Sequence, residues 1–299
     1  MNRVVASLCT GPAHVVYELV KLQTLRQHWD GPTVVHCSQD DTAALLDPAC
    51  REFDCELRRV ELIEVAKKSN QQFSSKVAFF ADGTFPGKHC LYLDSDLIIC
   101  DRLTELFEQA EEYGVCLTQF CEWRTGGNGL IAKRIRKWVE VDPTAEEIAE
   151  RTIAGNYPSP NGGIVCGRVG AGEFVHWLAW CKRGMQTFIN DETALQMLYP
   201  IWAERGAATM LEGGTFNCSP KHKPPSLSWS DVVICHGHGD SFVRPNKQGV
   251  SHWLPIFNAC LRDNVGGCAE WDLFALGNKW IKQNFVMVDG QLELKGDVR

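Results

Sequence analysis

The sequence predicts an α/β fold, a mostly parallel sheet with helices on both faces, and three observations predict it. The start alternates in character: "RVVASL" is β-rich, "AHVVYELVKLQTLRQHW" carries apolar residues at helical spacing, and "GPTVVHC" is β-rich again after a Gly-Pro break. A third apolar segment, "CELRRVEL", is followed by "SSKVAFFADG", a helix with Ser74 or Ser75 expected as its cap, and then by the strand "CLYLDSD". Later stretches continue the alternation. "AKRIRKWVEVDPTAEEIAERT", "GEFVHWLAWCKRG" and "DETALQMLYPIWAE" read as helices, and "AGNYPSPNGGIVCGR" and "WSDVVICHGHGD" lead into strands. "CEWRTGGNG" reads as a Gly-rich loop.

Ligands of such sheets bind beyond the carboxyl ends of the strands, where Cys9, Thr10, Asp94 and Asp96 fall. After the first strand the chain reads "CTGPAH", without the G-x-G-x-x-G of a dinucleotide-binding turn. The expected organisation is one domain over residues 1–249, with a nucleotide-binding half (1–115) and an acceptor half (116–249). A Trp-rich extension (250–299) packs on it.

A net charge of -7 argues against a chain that coats nucleic acid or an anionic membrane, and small or neutral partners fit better. No stretch approaches the roughly 18 apolar residues of a spanning helix, and the N-terminus lacks a secretory apolar region, so a cytoplasmic protein is expected. Fourteen cysteines are scattered through apolar segments with no CxxC pair, which points to buried thiols in a reducing compartment.

Asp94 and Asp96 stand one residue apart at the end of the apolar run "CLYL" and ahead of "LII". Two like charges at a strand terminus repel and need compensation, most simply from a divalent cation. A solvated surface turn is the plainer alternative, but the apolar flanks describe a buried strand. Asp101, before "RLTELFEQA", reads as a helix N-cap.

With these segments in order over roughly the first 245 residues, the chain resembles the nucleotide-sugar glycosyltransferases of the GT-A fold, and most of all retaining family 8, which includes glycogenin and bacterial galactosyltransferases. "SSKVAFF" before "HCLYLDSDLII" is similar to the family's basic-residue helix and "YLDxD" strand. "NGGIVC" is similar to its "N-S/A-G" strand entry, "DETALQ" to "DQxxLN", and "VVICHGHG" to its strand-terminal His leading into "HxxG".

The resemblance implies a metal-dependent transfer of a hexose from a nucleotide diphosphate sugar, UDP-linked, to a glycan, lipid or protein hydroxyl, with Mn²⁺ or Mg²⁺ as cofactor. It implies that Asp94 meets the ribose and the metal, with Ser95 beside it at the donor. Asp96 binds metal, and a histidine of "HGHG" completes the ligands. His236, which follows "DVVIC" directly and precedes Gly239 by three, is preferred to His238. Carboxylate oxygen suits either cation, imidazole suits manganese, and the ion neutralises a departing diphosphate. Cys9, Thr10 and Lys76 are expected near the donor, and Arg244 or Lys247 is the expected diphosphate clamp. Asn161, Gly162 and Gly163 either let backbone approach the sugar or form a plain turn into a strand.

The sequence departs from the family at Asp191-Glu192, where retaining members usually show Asp-Gln. A carboxylate there is a nucleophile, a stabiliser of an oxocarbenium-like centre or a base, so retention and inversion both stay open. An acidic helix N-terminus is the structural alternative. Two other classes compete: a nucleotidyltransferase, which should carry a Gly-rich basic signature after the first strand, and a non-catalytic sugar-binding protein, which should have lost its metal ligands.

Overall fold

The computed structural model describes residues 2–62, 71–187, 189–237 and 251–295. In chain order the elements begin β1 (Arg3–Cys9), α1 (Val15–His28), β2 (Thr33–Cys37), α2 (Asp40–Glu52), β3 (Glu56–Arg59), α3 (Gln71–Asp82), β4 (His89–Leu93) and β5 (Leu97–Ile99). They continue with α4 (Thr104–Tyr113), β6 (Val115–Arg124), α5 (Leu130–Val141), α6 (Glu146–Gly155), β7 (Pro158–Arg168), α7 (Gly172–Arg183) and α8 (Asn190–Glu204). The last are β8 (Ala208–Leu211), α9 (Gly213–Phe216), β9 (Ile234–His236), α10 (Leu254–Arg262), α11 (Lys279–Asn284), β10 (Phe285–Val288) and β11 (Gln291–Leu294). The expected alternation of strands and helices is present, and no helix among the described residues is long and apolar enough to cross a membrane.

The contacts gather the chain into two compact units, one of Met1–Ala6, Glu61–Leu93 and Leu103–Asn217, the other of Ser7–Val60, Asp94–Arg102 and Cys218–Arg299. Where the sequence suggested consecutive halves meeting at residue 115, the units are interleaved. Parallel strands need long crossovers, so neighbours in a sheet come from distant parts of the chain. The expected boundary at 249 lies outside the described residues.

In the first unit the strand order is β1-β4-β7-β6-β8. β1 runs parallel to β4 and β6 parallel to β8, while β7 lies antiparallel between β4 and β6. The β4 strand "HCLYL" is buried throughout, as a strand covered on both faces must be. Phe80 stacks on Phe174 at 4.2 Å and meets Phe85 edge-on at 4.8 Å, which fixes α3 against α7.

The second unit orders β3-β2-β1 and adds two antiparallel pairs, β5 with β9 and β10 with β11. The β10–β11 turn uses Asp289 and Gly290, both with positive φ (48° and 80°), as a two-residue hairpin requires. Its core joins Tyr17, Trp253, Phe257 and Phe285, with Trp253 stacked on Phe257 at 4.5 Å. All fourteen cysteines are free; twelve are buried and behave as small apolar groups, with burial pushing thiols such as Cys116 up to about 12, while Cys55 is partly buried and Cys100 is exposed.

Two capping expectations fail, "CEWR" is the end of β6 rather than loop, and "AKRIRKWVEVDPTAEEIAERT" breaks at Asp142 into α5 and α6. Ser74 and Ser75 do not cap α3 but lie inside it, fully buried, because the helix begins earlier, and the Ser74 hydroxyl donates to Asn190 Oδ1 at 2.9 Å. Asp101 does not cap α4, whose N-cap is Leu103; its carboxylate accepts instead from the Arg102 amide at 2.7 Å.

A charged group inside the second unit holds α1 in place. Glu18 accepts from Ser7 Oγ at 2.7 Å and from Lys21 Nζ at 2.8 Å, with both charged side chains at most 1% exposed. Lys21→Met should cost about 3–5 kcal/mol in urea denaturation by stranding the Glu18 carboxylate, and Glu18→Leu/Lys21→Met should recover much of it. Nearby, burial lowers His36 from its ordinary 6.5 to about 4, against the opposing effect of its Nδ1 contact with Ser7 O at 3.2 Å. With the folded value below the unfolded one, the unfolded chain takes up the proton first. The stability contribution is therefore complete above pH 6.5 and lost as pH falls toward 4. Denaturation at pH 7.5 and pH 4 should show about 2–3 kcal/mol more loss in the wild type than in His36→Gln.

Candidate active site

The segment between β4 and β5 is only three residues, Asp94, Ser95 and Asp96. β5 then pairs with β9 so that Leu97 stands opposite His236. That register brings the end of β9 beside Asp96, and the Gly237 amide donates to Asp96 O at 2.8 Å. His236 is fixed on its other side by donating its amide to Cys218 O at 2.9 Å. β5 is held to α1 as well, since the Ile99 amide donates to Thr24 Oγ1 at 3.1 Å.

One ligand atom each from Asp94, Asp96 and His236 lies within 4.8 Å of the others, and His236 Nε2 is 3.4 Å from Asp96 Oδ1. Around an octahedral ion with bonds of about 2.1 Å, ligand atoms stand roughly 3 Å apart when adjacent and 4.2 Å when opposite. The three donors therefore fit a divalent cation with little adjustment. Two carboxylates and one imidazole are a donor set for Mn²⁺ or Mg²⁺, and the imidazole favours manganese. Ser95 is buried between the two aspartates.

At the end of β1, Thr10 is half-buried, while the Cys9 thiol lies in the apolar core of the second unit and is pushed up by burial. His238, Arg244 and Lys247 lie outside the described residues.

The first unit assembles a second group. Lys76, on α3, pairs with Asp191, on α8, at 3.5 Å, with the two side chains 4% and 2% exposed. Lys76 Nζ also stands 5.2 Å from the centre of the Tyr92 ring. Asp191 Oδ1 is buried without a hydrogen-bond partner. Gly162 closes on this pair, for a Cβ there would sit 3.3 Å from Lys76 Nζ and 3.5 Å from Asp191 Oδ2. Asn161, Gly162 and Gly163 are interior to β7 and do not form a turn; Asn161 Oδ1 accepts from the Gly163 amide at 2.9 Å.

The start of α8 is set by Ile189, a β-branched residue in left-handed conformation (φ 51°, ψ 54°), whose carbonyl accepts from both Thr193 N and Thr193 Oγ1. Asn190 donates to Cys181 O at 2.8 Å, and the Trp177 indole donates to Asp191 O at 2.7 Å. Glu192 meets Arg134 Nη1 at 3.4 Å and accepts from Gln196 Nε2 at 3.1 Å. The sequence reading missed Tyr92, Arg134 and Gln196. Only Gln196 carried a signal, its i, i+4 spacing from Glu192.

By sequence the chain matches no protein-family profile and no curated protein. By structure it is similar to the apo form of mouse xyloside xylosyltransferase 1, with a TM-score of 0.55 and 14% identity over 81% of this chain and 99% of that one. It is also similar to the galactosyltransferase LgtC in complex with donor and acceptor sugar analogs, at 0.54 and 11% over 86% of this chain and 95% of that one. A glutamine-to-glutamate active-site mutant of LgtC gives 0.52 and 12% over 78% and 86%. The chain thus has the GT-A fold that its sequence resemblance implied.

The triad makes a prediction that needs no turnover. Mn²⁺ should raise the melting temperature of the wild type, with about 2.7 kcal/mol gained at a hundredfold excess over Kd, and Asp96→Asn or His236→Ala should abolish most of the shift. An undiminished shift in both variants would place the metal elsewhere.

Proposed function

We propose that the protein is a metal-dependent glycosyltransferase that moves a hexose from a UDP-linked sugar to an acceptor hydroxyl. The observation that carries this reading is the convergence of Asp94, Asp96 and His236 at the β5–β9 pair of a GT-A fold. A decayed, merely sugar-binding relative would have no reason to keep three converging ligands. The nucleotidyltransferase alternative lacks its Gly-rich basic turn after β1.

Asp94, Asp96 and His236 hold the cation, which, when bound, neutralises the charge that develops on the leaving diphosphate. Thr10 and Ser95 contact the nucleotide, and Arg244 or Lys247 clamps the diphosphate. Asp191, already paired with Lys76, offers its unpartnered Oδ1 to a sugar hydroxyl, and Gly162 lies against this pair with no side chain of its own. Glu192 is the carboxylate for chemistry at the anomeric carbon. The resemblance puts it where the family has glutamine. Fourteen free thiols fit a reducing, cytoplasmic setting.

A donor-hydrolysis screen over UDP- and GDP-sugars, with and without Mn²⁺, tests the activity without an acceptor. Metal-dependent release of UDP is expected, and silence with every donor would remove the transferase reading. Glu192→Gln should slow the chemical step by about 10²–10⁴-fold with UDP affinity nearly unchanged. Turnover within a few-fold of wild type would return Glu192 to a helix-terminus role. NMR of the product's anomeric configuration then separates nucleophile or stabiliser (retention) from base (inversion).

A further inference from the structure

We propose that Arg134, acting with Gln196, is a positioning residue that fixes the orientation of the Glu192 carboxylate. This rests on the reading of Glu192 as the carboxylate of the reaction. The two donors come from different elements and meet on the same oxygen: Arg134 Nη1 from α5 at 3.4 Å and Gln196 Nε2 from the next turn of α8 at 3.1 Å, both to Oε1. Arg134 and Glu192 are 22% and 14% exposed, and Gln196 is fully buried. Screening by water is weak at that depth, and neither partner swings freely.

The source of the guanidinium is itself rigid. On α5, Ile131, Ile135 and Trp138 are buried, and Trp138 stacks on Trp180 with Gly184 pressed so close to its ring that a Cβ there would stand 2.0 Å from it. The loop before α5 is tied down by the Thr125 amide donating to Tyr157 O, the Thr125 hydroxyl to Thr152 O and the Gly126 amide to Asn156 Oδ1.

An amide at position 192 would need no counter-charge. A half-buried carboxylate does, and a planar, directional guanidinium meets the need while restricting rotation more than an ammonium would. With Oε1 engaged twice, the plane of the carboxylate is set. Without Arg134, Oε1 keeps the Gln196 amide but loses its charged donor from α5, and with it the second direction that fixes the group.

Arg134→Met, which keeps the aliphatic stem, is expected to lower kcat by about 10–100-fold, the scale of a misplacement near 1 Å, with UDP affinity within twofold. Arg134→Lys should recover part of the loss. If Arg134 acts through Glu192, the double variant R134M/E192Q should turn over no more slowly than E192Q alone. An activity-independent signature accompanies these: the ¹⁵N-labelled side-chain amide resonance of Gln196, identified by Gln196→Leu, should move in Arg134→Met. The proposal is overturned if that resonance stays in place, if the R134M loss multiplies in full with that of E192Q, or if it appears as weakened UDP binding. A resonance that moves while E192Q retains wild-type turnover would leave the positioning intact and remove the chemical role of Glu192.

Discussion

A carboxylate withdrawn from water has to meet a positive charge, and the functional architecture of this chain follows from how that requirement is met in four places. Glu18 is met by Lys21 inside the second unit, Asp191 by Lys76 inside the first, and Glu192 by Arg134. Asp94 and Asp96 differ in kind: what converges on them is an imidazole, His236, which donates a lone pair to a metal as readily as it makes a hydrogen bond. The first three carboxylates meet a cation of the protein itself, and the fourth arrangement is a set of three donors that could hold a metal ion.

Backbone constraint places each pair. The register of two three-residue strands decides that His236 ends beside Asp96, and Thr24 of α1 takes up an amide that β5 does not use with β9. A one-residue slip would turn His236 to the opposite face and separate it from the carboxylates. At α8 the left-handed Ile189 costs of order 1–3 kcal/mol, and the bonds to its carbonyl and the side-chain bonds of Asn190 maintain it. This strained residue opens the helix on which Asp191 and Glu192 stand.

Much of the fold was legible in the chain because its signals are local. The βαβ opening, the buried "CLYL" strand and the helix over "DETALQMLYPIWAE" follow from apolar period and composition. The Asp94/Asp96 pair was legible because two charges behind an apolar run are chemically improbable without a counter-ion. Ser74 and Asp101 misled, since a good cap residue is only a candidate until competing partners are known, and Asn161–Gly163 stayed open between a close backbone approach and a turn because nothing local shows that the segment lies inside a strand.

The sequence by itself determined which elements form and which residue types are available for chemistry, since both depend on neighbours within a few positions. Only the tertiary structure decided the pairings: His236 with Asp96 across 140 residues of chain, Lys76 with Asp191, and Arg134 with Glu192. Such pairs are set by strand register and helix packing, which sum many weak contacts over long sequence separations. No short stretch of residues encodes them. For Arg134 the point is sharpest: along the chain it is one cation among several on an amphipathic helix, and only the packing of α5 makes it the partner of a carboxylate 58 residues away.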